Sequence, residues 1–366
     1  MQNFRREFDV AVIGGGPAGT SAAITAARFG AKVALFEAGE FPRHKVCGEY
    51  VSAESIDVLH DLLRPAADAE SLFRDAPVVD ETRLFLTGRV VKAPVSPPAL
   101  SIPRYTLDSL LWQAAKQAGV DAHSSSEVRA VLGRGPFCLH TNAGEVVASS
   151  VIVAAGRWSK FKPQIPIPPG PKWIGVKAHY CEPKPPRSTD LYFFEHGYCG
   201  VQPVAEDIVN ACAMVRSDRA TSLEQVFTLH SALAERSRIW ESIMEPVTTA
   251  PLIFTTPQPI RDNMIFVGDA AAFIDPFVGD GISIALRSGR VAATKLRPLL
   301  DGTSSLASAL SGYRRTYAQQ FVPLITAASR IRSVLSWPES ARALAFQFLR
   351  LPGVMQYVMR KTRQVA

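Results

Sequence analysis

The stretch that decides the fold is Asp9-Val-Ala-Val-Ile13-Gly14-Gly-Gly16-Pro-Ala18-Gly19, followed by an alanine-rich run that stops at Gly30, and then Lys32-Val-Ala-Leu-Phe36-Glu37-Ala38. Short, unbroken apolar runs of this kind form strands buried on both faces of a parallel sheet. Residues 17–29 read as a helix with proline in its first turn and glycine just past its end. Strand, glycine turn, helix and strand together are the context in which Gly-x-Gly-x-x-Gly has a physical meaning. Gly14 permits the tight turn, Gly16 lets the backbone approach a pyrophosphate, and Gly19 lets the helix lie against the strand. The helix start around Ala18 offers N–H groups and a positive dipole end to phosphate oxygens. Glu37, followed by Ala38, stands 23 residues beyond Gly14, at the usual reach of a carboxylate that accepts ribose hydroxyls. The fold class is therefore α/β, with a Rossmann-like nucleotide-binding unit at the start of the chain.

A second signature lies far downstream. Met264-Ile-Phe-Val267 reads as another buried strand and runs into Gly268-Asp269, then Gly279-Asp280-Gly281-Ile282 and a helix over 283–296. An aspartate at a strand tip beside small residues accepts hydrogen bonds from a polyol. A Gly-x-Gly turn that opens a helix presents N–H groups to a partly anionic ring edge. Alone, this stretch also reads as a glycine-rich loop capping a helix.

The two signatures together resemble the FAD-binding family that contains para-hydroxybenzoate hydroxylase, the flavin halogenases and the geranylgeranyl reductases, over most of residues 6–300. The resemblance implies FAD as the cofactor. Gly268 and Asp269 would hold its ribityl chain, and Gly279, Gly281 and Ile282 would face its pyrimidine edge. Arg104, in Pro103-Arg-Tyr-Thr-Leu, matches a family residue at the ribityl–phosphate region. The backbone at Val128 matches the place that receives adenine. The segment Arg43-His-Lys-Val-Cys47-Gly48 looks like the Arg-x-Lys-x-Cys-Gly of the geranylgeranyl reductase branch, in which the cysteine lies near the isoalloxazine. Cys47 is accordingly the catalytic candidate, against a reading as a small buried apolar filler. Arg43 reads as a pyrophosphate contact or as a solvated charge.

Two departures bear on the reaction. Gly200 and Gln202 stand where the lipid-reducing members carry Trp and Phe, which favours a ring or polyketide-like substrate over a long isoprenoid. Ala155 stands where the family has the Asp of its Asp-Gly motif, which weakens direct hydride transfer from NADPH. The electron donor is then NAD(P)H or a partner reductase. The implied architecture is a glutathione reductase-type FAD domain (residues 1–75, 100–165 and 250–300), an antiparallel-sheet substrate domain (76–99 and 166–249) and a C-terminal helical segment (301–366).

Composition sets the outer limits. With 366 residues, 47% apolar and 20% charged, the chain buries a large core unaided and is not a disordered protein. Its five cysteines show no paired metal spacing, so no metal site is expected and thiols in a reducing compartment are the default. The apolar run after Arg6 leads into structural glycines rather than a cleavage site, so a cytoplasmic protein is expected. Residues 312–366 hold nine basic residues and one acid, Glu339, while the rest of the chain is close to neutral. That distribution speaks against a nucleic-acid groove. The apolar clusters between Phe321 and Val358 read as short helices that pack on the substrate domain and close its cavity. A competing reading lays them on an anionic membrane as a weak peripheral contact. The functional expectation is an oxidoreductase that reduces a C=C or quinone-like bond of a hydrophobic small molecule. The alternative is a monooxygenase, with a halogenase or a non-catalytic flavin carrier behind it.

Overall fold

The computed structural model describes residues 6–64, 69–86, 88–158, 160–161, 167, 169–275 and 279–335. Arg6–Ile13 (β1) runs into the interior and is buried from Val10 onward. Pro17–Arg28 (α1) and Val33–Phe36 (β2) follow it. β1 lies between β2 and Gly144–Val153, parallel to both. Asp121–His123 continues the parallel run beyond β2, and Met264–Phe266 continues it beyond Gly144–Val153. The hairpin Val128–Gly133/Phe137–Thr141 is added antiparallel, which with Ile260–Arg261 makes an eight-stranded sheet.

Parallel strands need helices over both faces. α1 and Gly281–Leu300 cross at a distance only small residues allow. A Cβ on Gly289 would lie 2.1 Å from the Ala18 carbonyl, and Ser21 Oγ donates to the Leu286 carbonyl at 2.6 Å.

The second sheet has nine strands and is antiparallel except where Ser188–Phe194 runs alongside Val78–Leu86. Leu223–Thr228 and Ser231–Arg236 cover one of its faces through Leu223, Val226 and Leu233. The opposite face, carrying Leu84, Phe193, Tyr198 and Met214, turns toward Leu252 and Phe273. Tyr50–Val51 pairs with Leu100 and Ser101, so the loop that holds Cys47 is tied to this sheet at its far end.

The helices Leu306–Gln320 and Val322–Leu335 correct the expectation for the C-terminal region. Tyr313, Tyr317, Phe321, Leu324 and Ile325 are buried in the core of the first sheet, not on the substrate sheet. The Tyr313 hydroxyl donates to the Phe266 carbonyl at 2.9 Å. The physical reason is the open flank beside Met264–Phe266, which these aromatic residues cover. Arg332 stacks on Phe254 at 3.6 Å and lies 3.8 Å from Asp275. The expected helices beyond residue 335, with half of the basic surplus, lie outside the described residues. No helix among the described residues is long and apolar enough to cross a membrane.

Candidate functional site

A cavity of about 850 Å³ lies between the two sheets, and every residue the sequence assigns to the cofactor lines it except Gly19. Gly19 sits behind the wall. A Cβ there would come within 1.8 Å of the Gly14 carbonyl, so its role is the close approach of α1 to the turn. Gly14 adopts φ +107°, and a Cβ on it would meet the Ala154 carbonyl at 2.4 Å. Gly16 caps α1 without any side-chain hydrogen bond, so the helix start opens into the cavity with its N–H groups and dipole available to an anion.

Glu37 is positioned more tightly than a free ribose acceptor. One oxygen accepts from the Gly15 N–H at 2.8 Å, and the other accepts from the Gly39 N–H at 2.9 Å and from Arg43 at 2.8 Å. Burial alone would raise this carboxyl, but Arg43 and the two N–H groups hold it below the usual range. Arg43 thus pairs with Glu37 and stacks on Phe41 in the cavity wall, so it is not a solvated charge. The Ser126 N–H donates to the Glu37 carbonyl at 2.8 Å, and this turn brings Val128 into the wall.

Across the cavity, Gly268 turns with φ +56°, and its N–H donates to Ser288 Oγ. This presents Asp269 at the strand tip. Gly279, at φ +75°, precedes the long helix and Gly281 opens it, with the Tyr50 ring packed against Gly279. A glycine turn with an uncapped helix start, a fixed carboxylate at the end of β2 and an aspartate on the opposite strand tip accommodate pyrophosphate, ribose and polyol in that order. The residues therefore fit FAD.

Arg104 is no surface arginine. It makes a bidentate pair at 2.7 Å with fully buried Asp108 one helical turn on. Burial opposes its charge, but Asp108 more than offsets this and pushes its pKa up. It stands beside Cys47, whose Sγ accepts from the Glu49 N–H at 3.3 Å. Burial pushes the Cys47 thiol up despite Arg104, so the group is held as a neutral thiol.

The sequence reading missed a buried charge cluster just behind this thiol. Glu49, in the left-handed region at φ +62°, accepts from Lys177 Nζ at 2.5 Å, His179 Nε2 at 2.7 Å and the Arg104 N–H at 2.9 Å. Glu49 and Lys177 are fully buried. Lys177 and His179 alternate along Trp173–Cys181, so two inward polar residues in an apolar strand were the available signal. Nearby polar residues His44, Tyr50 and Tyr198 line the cavity, whereas Glu195 and His196 do not. Away from the cavity, Cys138, His140 and Glu145 bring their ligand atoms within 4.8 Å of one another on a hairpin, a grouping the sequence spacing had not suggested.

The pyridine nucleotide-disulphide oxidoreductase family model matches residues 8–166. The chain is similar to conditioned medium factor receptor 1 of Dictyostelium discoideum, at 27% identity over 79% of the chain and 63% of that protein. It is similar to digeranylgeranylglycerophospholipid reductase 2 of Methanopyrus kandleri, at 26% identity over 86% of the chain and 83% of that protein. Its fold matches the flavin-dependent brominase Bmp2 with a TM-score of 0.80, at 20% identity over 97% of the chain and 93% of that structure. The dinucleotide turn and the flavoenzyme relatives agree: the chain carries an FAD-binding domain, its likenesses are consistent with the flavoprotein superfamily of para-hydroxybenzoate hydroxylase and the geranylgeranyl reductases, and it is an FAD-dependent oxidoreductase.

Proposed function

We propose that the chain reduces a carbon–carbon or quinone-like double bond of a compact, largely apolar molecule. The observation that carries this reading is Cys47, a neutral thiol in the cavity wall between the flavin-site turns and an apolar chamber. FAD held there, once reduced by the electron donor, would supply the hydride. Cys47 Sγ gives the proton that completes the reduction, and the Arg104 guanidinium and Glu49 N–H stabilise the thiolate left behind. The Arg104–Asp108 pair fixes that guanidinium in place. Leu84, Leu191, Phe193 and Tyr198 shield the chamber from water.

The chamber favours a ring or polyketide-type substrate over a long isoprenoid. Gly200 leaves no bulk on its wall, and Gln202 donates to Ser101 Oγ at 2.6 Å and accepts from Thr189 at 3.1 Å. That end is polar and tied down. The electron donor in this reading is NAD(P)H or a partner reductase. Oxygen insertion is the competing reading, favoured by the same enclosed apolar chamber.

The test is anaerobic. The flavin of the loaded protein is reduced with NADPH, NADH or dithionite, then mixed with menadione, an α,β-unsaturated ketone or oxygen. Faster re-oxidation by an organic acceptor, lost in Cys47→Ser, supports the reductase. Rapid re-oxidation by oxygen with no response to any organic acceptor refutes it.

A further inference from the structure

We propose that Arg157 anchors an anionic group of the substrate, so that the cavity takes an organic acid: a carboxylate joined to an apolar body. This rests on the reading of the cavity as a flavin and substrate site, and it adds the chemical class of the ligand.

Arg157 follows Gly156, whose φ of +70° turns the chain out of the parallel sheet. Its side chain thereby enters the cavity where the two sheets meet. One guanidinium nitrogen donates to Thr249 Oγ1 at 2.6 Å, a neutral partner from the second sheet. The flat face lies on the Phe273 ring at 4.8 Å. Nε is buried and has no hydrogen-bond partner.

The cavity wall holds three arginines among the described residues, and the other two are neutralised. Arg43 pairs with Glu37 at 2.8 Å and Arg104 pairs with Asp108 at 2.7 Å. Arg157 has no carboxylate at ion-pair distance among the described residues. Burial weakens its hold on the proton, and the charge of Asp269 offsets this only in part. A half-buried cation left without a counter-ion is costly, and a guanidinium fork matches a carboxylate in shape and charge.

The surroundings define the rest of the ligand. Asp269 on one side belongs to the cofactor's polyol segment, so an anion on Arg157 sits at the border between flavin and chamber. Thr248 and Thr249 supply hydroxyls beside it, while Phe273, Leu252 and Met214 offer apolar surface leading inward. A carboxylate at this border places the body of the molecule in the chamber that Cys47 also faces. The same cation would also attract a free inorganic anion or a charge on the cofactor itself, and the experiment separates these sources.

The FAD-loaded protein is titrated with benzoate and octanoate, with benzyl alcohol and octanol as uncharged counterparts, and with phosphate and chloride. Flavin absorbance changes and the thermal midpoint are the readouts. The acids are expected to perturb the flavin and raise the midpoint with affinities about tenfold or more above those of the alcohols, as one charge-assisted hydrogen bond implies. Arg157→Met should remove that advantage while flavin content and alcohol binding stay unchanged, and Arg157→Lys should fall between. Arg157→Gln, closer in shape, carries the same comparison if Arg157→Met melts early. Equal binding of acids and alcohols, or none by either, overturns the proposal. So does flavin loss in the Arg157 variants, which would assign the charge to the cofactor. Phosphate or chloride binding as tightly as the acids would reduce the site to a general anion hole and also overturns it. A parent protein that takes up no flavin refutes instead the underlying reading of the cavity.

Discussion

Replacing Glu49 by Gln keeps the shape of the side chain and removes its charge, and the cluster behind Cys47 gives the expected size of the effect. Glu49 and Lys177 are both fully buried, 2.5 Å apart, and His179 and the Arg104 N–H complete the carboxylate's partners. Neutralising one member of a buried pair leaves the other charge uncompensated, at a cost of about 3–5 kcal/mol. At a slope of about 3 kcal/mol per molar urea, the unfolding midpoint should fall by about 1 M or more. Glu49→Gln combined with Lys177→Met removes both charges and should recover most of the loss, because a buried pair contributes little net stability over an apolar replacement. The pH dependence has a definite sign. Burial alone would raise the Glu49 carboxyl, but His179 and Lys177 overcome this and hold it below its ordinary value of 4.5. A carboxyl depressed in the folded state contributes stability above its unfolded value and loses it as pH falls through the folded one. The gap between parent and Glu49→Gln should therefore be full above about pH 4.5 and shrink below it. An unchanged urea midpoint in the single variant, or a double variant no more stable than the single, would refute the reasoning.

Four other outcomes are expected. Glu37→Ala strands Arg43 and the Gly15 and Gly39 N–H groups, so FAD affinity, read by flavin fluorescence, should fall by about 1.5–3 kcal/mol, or roughly tenfold to a hundredfold. Gly19→Ala puts a Cβ 1.8 Å from the Gly14 carbonyl and should yield little folded protein. By contrast, Gly312→Ala, within Leu306–Gln320 and in ordinary contact with Lys295 at 3.7 Å, should raise stability by about 0.5–1 kcal/mol in thermal melts. Burial pushes the thiols of Cys47, Cys199 and Cys212 up, so brief iodoacetamide treatment of the native protein at pH 8 should leave all three unmodified by mass spectrometry, and denaturation should expose them.

The sequence spoke most clearly where chemistry depends on residues close together in the chain. Gly14, Gly16 and Gly19 announce a turn because their spacing has one physical use, and Glu37 follows at a reach set by a single helix and strand. The Arg104–Asp108 pair was also readable, being one helical turn apart, yet Arg104 was read as a cofactor contact without its partner. Lys177 and His179 were not readable as partners of Glu49. They join it across 128 and 130 residues, through strand pairings that local patterns do not specify. Arg157 was hidden for a different reason: the missing family aspartate at Ala155 drew notice, while the charge two residues later gains meaning only beside Phe273 and Thr249. The C-terminal helices were legible as helices, but which sheet they cover depends on an open flank that no linear pattern records.

The order of strands has a consequence for how the molecule comes into being. Gly144–Val153 is flanked on one side by β1 and on the other, at its end, by Met264–Phe266, and six of the nine strands of the second sheet are synthesised between Gly144–Val153 and Met264–Phe266. Until the later strand arrives, the end of Gly144–Val153 at Ile152 and Val153, beyond the stretch that Phe137–Thr141 covers, presents unpaired backbone groups, the kind of surface that recruits other chains. The second sheet can join Ser188–Phe194 to Val78–Leu86 well before that moment. A nascent chain can thus pair these strands of the second sheet before Met264–Phe266 and the glycine turns beyond it complete the other wall of the cavity.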